Sequence, residues 1–389
     1  MITAMKDQIG FSLVELMVSI SIGLLLLAGL STLFVNSSRS QAELFKSSQQ
    51  IENGRYAMDL LGQDLRHSGF YGEFDNLPPR VGAQMAYPAP LPDPCSTAAA
   101  DLLAALPLPV QGYDNVPATV PAPLSGCLSD ANHVPGTDVV VIRRAQTEVL
   151  LETGGAAGIT AAPGATATPI LNEVYLQADA SAADIQLGSG APIAKTKKAD
   201  GNPTAISRKD FSVSPVGMAA GYIRKYHVHV YFIAPCSAPN GGGTSCTGAG
   251  DDNGRPIPTL KRLELTSDGA NTLFRIVPLV EGIENLQLEY GLDVTPAASP
   301  TNPTGLPGDG APDDAYLASP ADADWGNVVA ARVFLLARNT ESTAGYTDAK
   351  SYQLGTTTAP AVPGGNFKRH AYTAEVRLVN PSSRREIPR

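Results

Sequence analysis

The 389-residue sequence lacks the features that most often mark an enzyme or a nucleic-acid binder. It has no excess of basic residues: 28 Lys and Arg stand against 37 Asp and Glu, a formal net charge of −9. Bulk electrostatic attraction to nucleic acid is thereby excluded, although a local basic patch is not. No G-x-S-x-G, H-E-x-x-H or P-loop pattern occurs, and no catalytic constellation is visible. Cysteine is scarce, and the four residues present lack CxxC spacing, which argues against a zinc site. Long apolar runs are missing with one exception, so the chain is not a polytopic membrane protein. Proline is absent from Phe11 to Leu77, then frequent and unevenly placed together with glycine, so long loops are expected. The length suits one large domain or two ordinary ones.

The one apolar run is Phe11 to Val35, with Leu24 to Leu27 at its centre. About 20 such residues cross a bilayer as a helix. The leader before it is short and polar and contains Lys6. A secretory signal has a shorter apolar core closed by a small-residue cleavage site, and nothing like A-x-A closes this run. Its only ionisable side chain is Glu15. A carboxylate costs about 2.5–3.5 kcal/mol at the centre of a span and less near its end, so Glu15 needs a partner. Beyond Asn36 the sequence turns polar but keeps a helical pattern. Leu44, Ile51, Met58 and Leu65 recur every seven residues, with Leu61 on the same side, a stripe suited to packing on a globular domain. Glu52 with Arg55, and Arg55 with Asp59, are spaced for helical ion pairs. The pattern predicts one helix from Phe11 to Ser68-Gly69, about 85 Å long at 1.5 Å per residue. Gly23 and Gly29 lower its propensity inside the span.

After Asn76 the pattern changes. Pro78 to Gly126 reads as a long irregular region with one short helix around Leu102 to Leu106. Thr137 to Ile142 is a buried-type strand, with Glu148 to Leu151 as its expected neighbour. Gly154 to Pro169 reads as a loop. Tyr222 to Ala234 is a long strand with Tyr226, Val228, Val230 and Phe232 on one face. Leu260 to Thr266 and Leu273 to Val277 bracket a turn at Ser267-Asp268-Gly269, a hairpin. Leu286, Leu288 and Tyr290 alternate with Gln287 and Glu289. Thr295 to Asp324 is a second loop, Trp325 precedes the apolar run Val328 to Leu336, and Tyr372 to Leu378 alternates again.

The junction Ile9-Gly10-Phe11-Ser12-Leu13-Val14-Glu15 resembles the class III, or prepilin, signal of type IV pilins and pseudopilins. That resemblance implies cleavage after Gly10 by a prepilin peptidase and N-methylation of Phe11. It also implies that Glu15 pairs with the N-terminal amine of a neighbouring subunit. A start at Met5 would give a leader of common length for such signals. R-Y-A-M-D-L-L-G-Q-D-L-R from Arg55, then Ser68-Gly69-Phe70-Tyr71-Gly72, resemble the PilW family of type IV pilus assembly proteins. So do V-E-G-I-E-N-L-Q-L-E-Y-G-L-D from Val280, W-G-N-V-V-A-A-R-V-F-L-L-A-R from Trp325 and R-H-A-Y-T-A-E-V-R-L-V-N from Arg369. One departure is Glu73, where many relatives place cysteine.

The resemblance implies an α+β, pilin-like fold: a long N-terminal helix whose first half spans the membrane, packed on a β-rich periplasmic head with long loops. The expected divisions are a cleaved leader at 1–10, a transmembrane half at 11–35, a periplasmic half of the helix at 36–69 and the head at 70–389. It implies a minor pilin, not an enzyme and without cofactors, that helps to initiate or cap pilus assembly for twitching motility, adhesion or DNA uptake. Its partners would be other minor pilins, the major pilin, a PilY-type tip adhesin and the prepilin peptidase. It would sit in the inner membrane by one span with its head in the periplasm, then in the pilus. A minor pseudopilin of type II secretion shares the signal and the helix, and is the alternative. A membrane-tethered periplasmic binding protein or enzyme would need a catalytic or pocket signature that is not seen.

An even cysteine count on an exported chain favours disulfides. Four cysteines allow three connectivities, of which the local pairs Cys95 with Cys127 and Cys236 with Cys246 are preferred. His227 and His229 share one side of a strand, a weak metal pair that reads more simply as two exposed histidines. Asp251-Asp252-Asn253 is a weak calcium candidate that reads more simply as a polar turn. Asp309-Gly310 with Asp313-Asp314 is another. Arg384, Arg385 and Arg389 form a basic tail expected to be solvated.

Overall fold

The computed structural model describes residues 12–74, 90–149, 151–154, 158–161, 170–178, 183–188, 222–294, 310–313, 316–355 and 361–385. Two compact units divide between Gln49 and Gln50. The long helix α1, Leu13–His67, contributes to both. It ends where expected: Gly69 takes a left-handed φ of +70°, which favours glycine at a helix C-terminus.

In the second unit α1 buries Gln50, Gly54, Ala57, Leu61, Gly62, Asp64 and Leu65. Leu61 and Leu65 of the expected stripe are fully buried and Met58 is partly so, but Ile51 is 41% exposed. Leu44, in the first unit, is 69% exposed. A strict seven-residue stripe drifts around a 3.6-residue helix, so it does not define the buried face. Small residues do. A Cβ on Gly54 would sit 2.2 Å from Tyr372 Cε2, so only glycine lets the helix approach that closely. The expected ion pairs of Arg55 do not form among the described residues. Asp59 accepts the Gln63 side-chain amide instead, at 2.8 Å.

A short helix α2, Ala99–Ala104, lies where one was expected. The irregular region also holds an unforeseen strand, β1, Val110–Val116. Then come β2, Thr137–Ala145; β3, Leu151–Gly154; β4, Gly158–Ala161; β5, Val174–Ala178; and β6, Ala183–Leu187. β3 and β4 occupy part of the stretch read as a loop, and β3 pairs with β4 instead of β2. The Gly/Ala/Thr composition hid this hairpin, because tertiary pairing overrides weak strand propensity. The longest strand, β7, Tyr222–Ala234, is the hub of a nine-stranded sheet. One of its edges receives β2 and the start of β3; the other receives β5 and then β8, Thr259–Ser267. β8 forms the expected hairpin with β9, Thr272–Glu281. A three-stranded antiparallel sheet follows: β10, Ile283–Leu292; β11, Val328–Arg338; and β12, Arg369–Arg377. A last short helix, α3, Val379–Arg385, closes the fold.

The alternation in β7 divides the core. Tyr226, Val228, Val230 and Phe232 join one cluster with α2, β2 and β5, as the sequence predicted. Tyr231 and Ile233 face the other cluster, with Leu61 and Leu65 of α1 and side chains of β10, β11 and β12. β10 does not show the half-exposed pattern expected of it. Gln287 and Glu289 are buried too, and Gln287 Nε2 donates to Gly136 O at 2.9 Å. The strand lies between layers, so both of its faces are covered.

Candidate functional site

The segment that begins the first unit carries the most distinctive chemistry. Helix α1 is the one described helix long and apolar enough to cross a membrane, and none of its most apolar stretch is buried by the protein. Ser21, Ser31 and Thr32 donate their hydroxyls to carbonyls three or four residues back, so these three groups are satisfied within the helix. At its start Ser12-Leu13-Val14-Glu15 forms a capping box. Ser12 N–H donates to Glu15 Oε2 at 2.9 Å, and Glu15 N–H donates to Ser12 Oγ at 3.2 Å. Glu15 thus has a local partner in the helix's own first turn. Gly10 and Phe11, the expected cleavage and methylation positions, lie outside the described residues.

In the second unit Cys95 is bonded to Cys127, and Cys236 to Cys246. The weak calcium candidates are turned towards donors. Asp251 Oδ1 accepts from Asn240 N–H and the Thr247 hydroxyl, and Oδ2 from the Thr247 and Gly248 N–H groups. Burial pushes Asp251 up, but these bonds outweigh it and hold the carboxyl at about 2. Asp252 accepts from the N–H groups of Ser237, Ala238 and Ile257. Carboxylates filled by donors pin the loop after β7 and leave few oxygens facing a cation. Cys236, Cys246 and Asp251 cluster within metal-ligand distance, but disulfide sulfurs are not thiolate ligands. Of the other acidic pair, Asp309 and Asp314 lie outside the described residues, and Asp313 Oδ2 accepts Val294 N–H at 2.6 Å.

The two histidines of β7 are not a solvated pair. They face α1, and His229 is buried. His229 Nδ1 lies 2.6 Å from Asp64 Oδ2, the Tyr231 hydroxyl donates to the same oxygen at 2.8 Å, and Arg144 Nε donates to Oδ1 at 2.5 Å. Burial pushes Asp64 up, but His229 and Arg144 hold its carboxyl well below the usual range. Burial, with His229, Arg144 and Lys225 close by, takes His227 down to about 2, so it stays neutral. Nothing in the sequence pattern pairs residue 64 with residue 229. The one signal available was that Tyr231 and Ile233, large and apolar, share the side of β7 that carries the histidines. The cluster floors a shallow cleft of about 210 Å³ bounded by Leu60, Gln63, His67, Thr147 and Arg262. That is below the ~300 Å³ at which small-molecule sites begin.

The basic C-terminal residues are also tied down. Arg385 is buried, with Nη1 donating to Asn327 Oδ1 and Nη2 to Asp293 O. Arg384 Nη2 donates to Gly69 O and Asn380 Nδ2 to Ser68 O, so α3 satisfies carbonyls at the end of α1. The tail expectation failed because helix ends need such donors. Arg389 lies outside the described residues.

Comparison with known families matches both halves of this picture. Residues 5–31 match the prokaryotic N-terminal methylation motif, and residues 245–380 match the family described as Type IV Pilus-assembly protein W. The second match spans β8 to β12, including three of the four blocks that carried the resemblance in sequence. No curated protein and no solved structure matches the chain significantly.

Proposed function

We propose that this PilW-family, pilin-like chain is a minor pilin of a type IV pilus, cut after Gly10 and methylated at Phe11. The observation that carries the reading is the presence in one chain of the methylation motif at 5–31 and the pilus-assembly match at 245–380. In this reading residues 1–10 are the leader and 11–35 span the inner membrane. Residues 36–69 and the head at 70–389 lie in the periplasm until assembly. Glu15 exchanges its bond to Ser12 N–H for the α-amino group of a neighbouring subunit, which draws the helix into the filament. The role is structural, in initiating or capping the filament with other minor pilins, the major pilin and a PilY-type adhesin. The pilus-assembly match favours this over a pseudopilin of type II secretion. The deciding experiment is a tagged copy followed into purified pili, with mass spectrometry of its N-terminus. Methyl-Phe11 in sheared pili is expected; a tagged protein absent from pili, or one with an intact leader where the peptidase is active, contradicts the reading.

A further inference from the structure

We infer that the outer edge of β12 is a strand-addition site for an extended segment of a different pilin-like subunit beside it in the pilus, an inference that rests on the assembly role above. The ladder to β11 decides which backbone groups are free. Leu378 N–H donates to Val329 O and Asn339 N–H donates to Lys368 O, one bond at each end of the pairing. The register between them is unbroken, from Ala330 opposite Arg377 to Arg338 opposite Arg369. In an antiparallel pair the inward-facing residues alternate, so His370, Tyr372, Ala374 and Val376 bond to β11. Ala371, Thr373 and Glu375 therefore turn their N–H and C=O groups away from it. All three are exposed, and among the described residues none of these groups has a partner.

Two other edge strands carry features that limit such pairing. On β10, Tyr290 exchanges both backbone bonds with Leu317, and Leu288 N–H is taken by the Asp138 carboxylate. β9 carries Pro278, which cannot donate and blunts an edge. β12 has neither proline nor glycine and keeps nine residues extended. An open edge of that length on a monomer invites uncontrolled pairing, and a filament subunit has a use for one. The same strand meets α1 through Tyr372 at Gly54, so an added strand would lie beside the helix that the assembly reading places in the filament. The exposed residues along the strand are His370, Ala371, Thr373, Glu375 and Arg377, and Glu375 shares a half-exposed ion pair with Arg332. A strand bearing a basic or hydroxyl side chain opposite Glu375 fits it best.

The test separates this edge from the fold. Thr373→Pro removes an N–H that the β11 ladder does not use, whereas Ala374→Pro removes one that it does. Thr373→Pro in the full-length protein is expected to keep the wild-type melting temperature within about 3 °C, while Ala374→Pro unfolds it. Thr373→Pro should enter pili about tenfold less than wild type, with Thr373→Ala unaffected. A photo-crosslinker at Thr373 should capture a different pilin-like subunit. A folded Thr373→Pro that enters pili as wild type does, or crosslinks only to a second copy of this chain, overturns the inference. Wild type absent from pili would instead strike the assembly reading itself.

Discussion

Glu15 and Asp64 carry the same charge on the same helix and live under opposite rules. Glu15 lies in an exposed apolar stretch, and its bonds are to Ser12 within one turn. Asp64 is 5% exposed and is held by a histidine, a tyrosine and an arginine that come from two strands. The first arrangement can be broken and remade at small cost, because only one helical turn must adjust. The second cannot, because removing the carboxylate leaves His229 and Tyr231 buried, and Arg144 partly buried, around nothing. One carboxylate is held only within its own helical turn, and the other is locked to two strands of the sheet.

That contrast breaks most sharply at Asp64. Asp64→Ala is expected to lower stability by about 3–5 kcal/mol, read by chemical denaturation of the full chain in detergent. A loss under about 1 kcal/mol would mean that the cluster is decoration.

Acid tests the same cluster more gently. His227 is held down at about 2, below its unfolded value, so the unfolded chain takes up its proton first. Stability from this group is complete above about pH 7 and falls as the pH drops through the unfolded value near 6.5, by about 2 kcal/mol at pH 5. Asp64 is also depressed, and its contribution is present above its unfolded value and lost only as the pH falls below about 4. His227→Gln should flatten the loss between pH 7 and pH 5 and leave the steeper acid limb; an unchanged profile would remove His227 from the account.

The smallest effect on folding, and the largest on assembly, is expected at Glu15. Glu15→Ala should cost no more than about 1 kcal/mol, the worth of a cap, and leave membrane insertion intact. Incorporation into pili should fail. Normal pili containing the variant would show that Glu15 is no more than a capping residue.

Much of the head was legible because its strands obey simple periods. β7, the β8–β9 hairpin, β11 and β12 were read from alternation or continuous apolar runs bounded by turn residues. β1, β3 and β4 were not, because Gly-, Ala- and Pro-rich sequence carries little local preference and partners many residues away decide the pairing. The Asp64 cluster escaped for a related reason. A single helix carboxylate reads as solvated until its face is known, and that face is set by glycine and alanine, not by the leucines that catch the eye.

The sequence by itself determined the first half of the long helix. An uninterrupted apolar run opened by a glycine–phenylalanine junction and a lone glutamate is specified by residues adjacent in the chain, so no distant partner is needed to read it. Only the tertiary structure decided what the head does with its polar groups. Burial of His229 against Asp64, the docking of Arg385 and the outward turn of Thr373 on β12 all follow from strand register and helix rotation. A shift of one residue in either would invert them, and long-range packing alone sets which one holds.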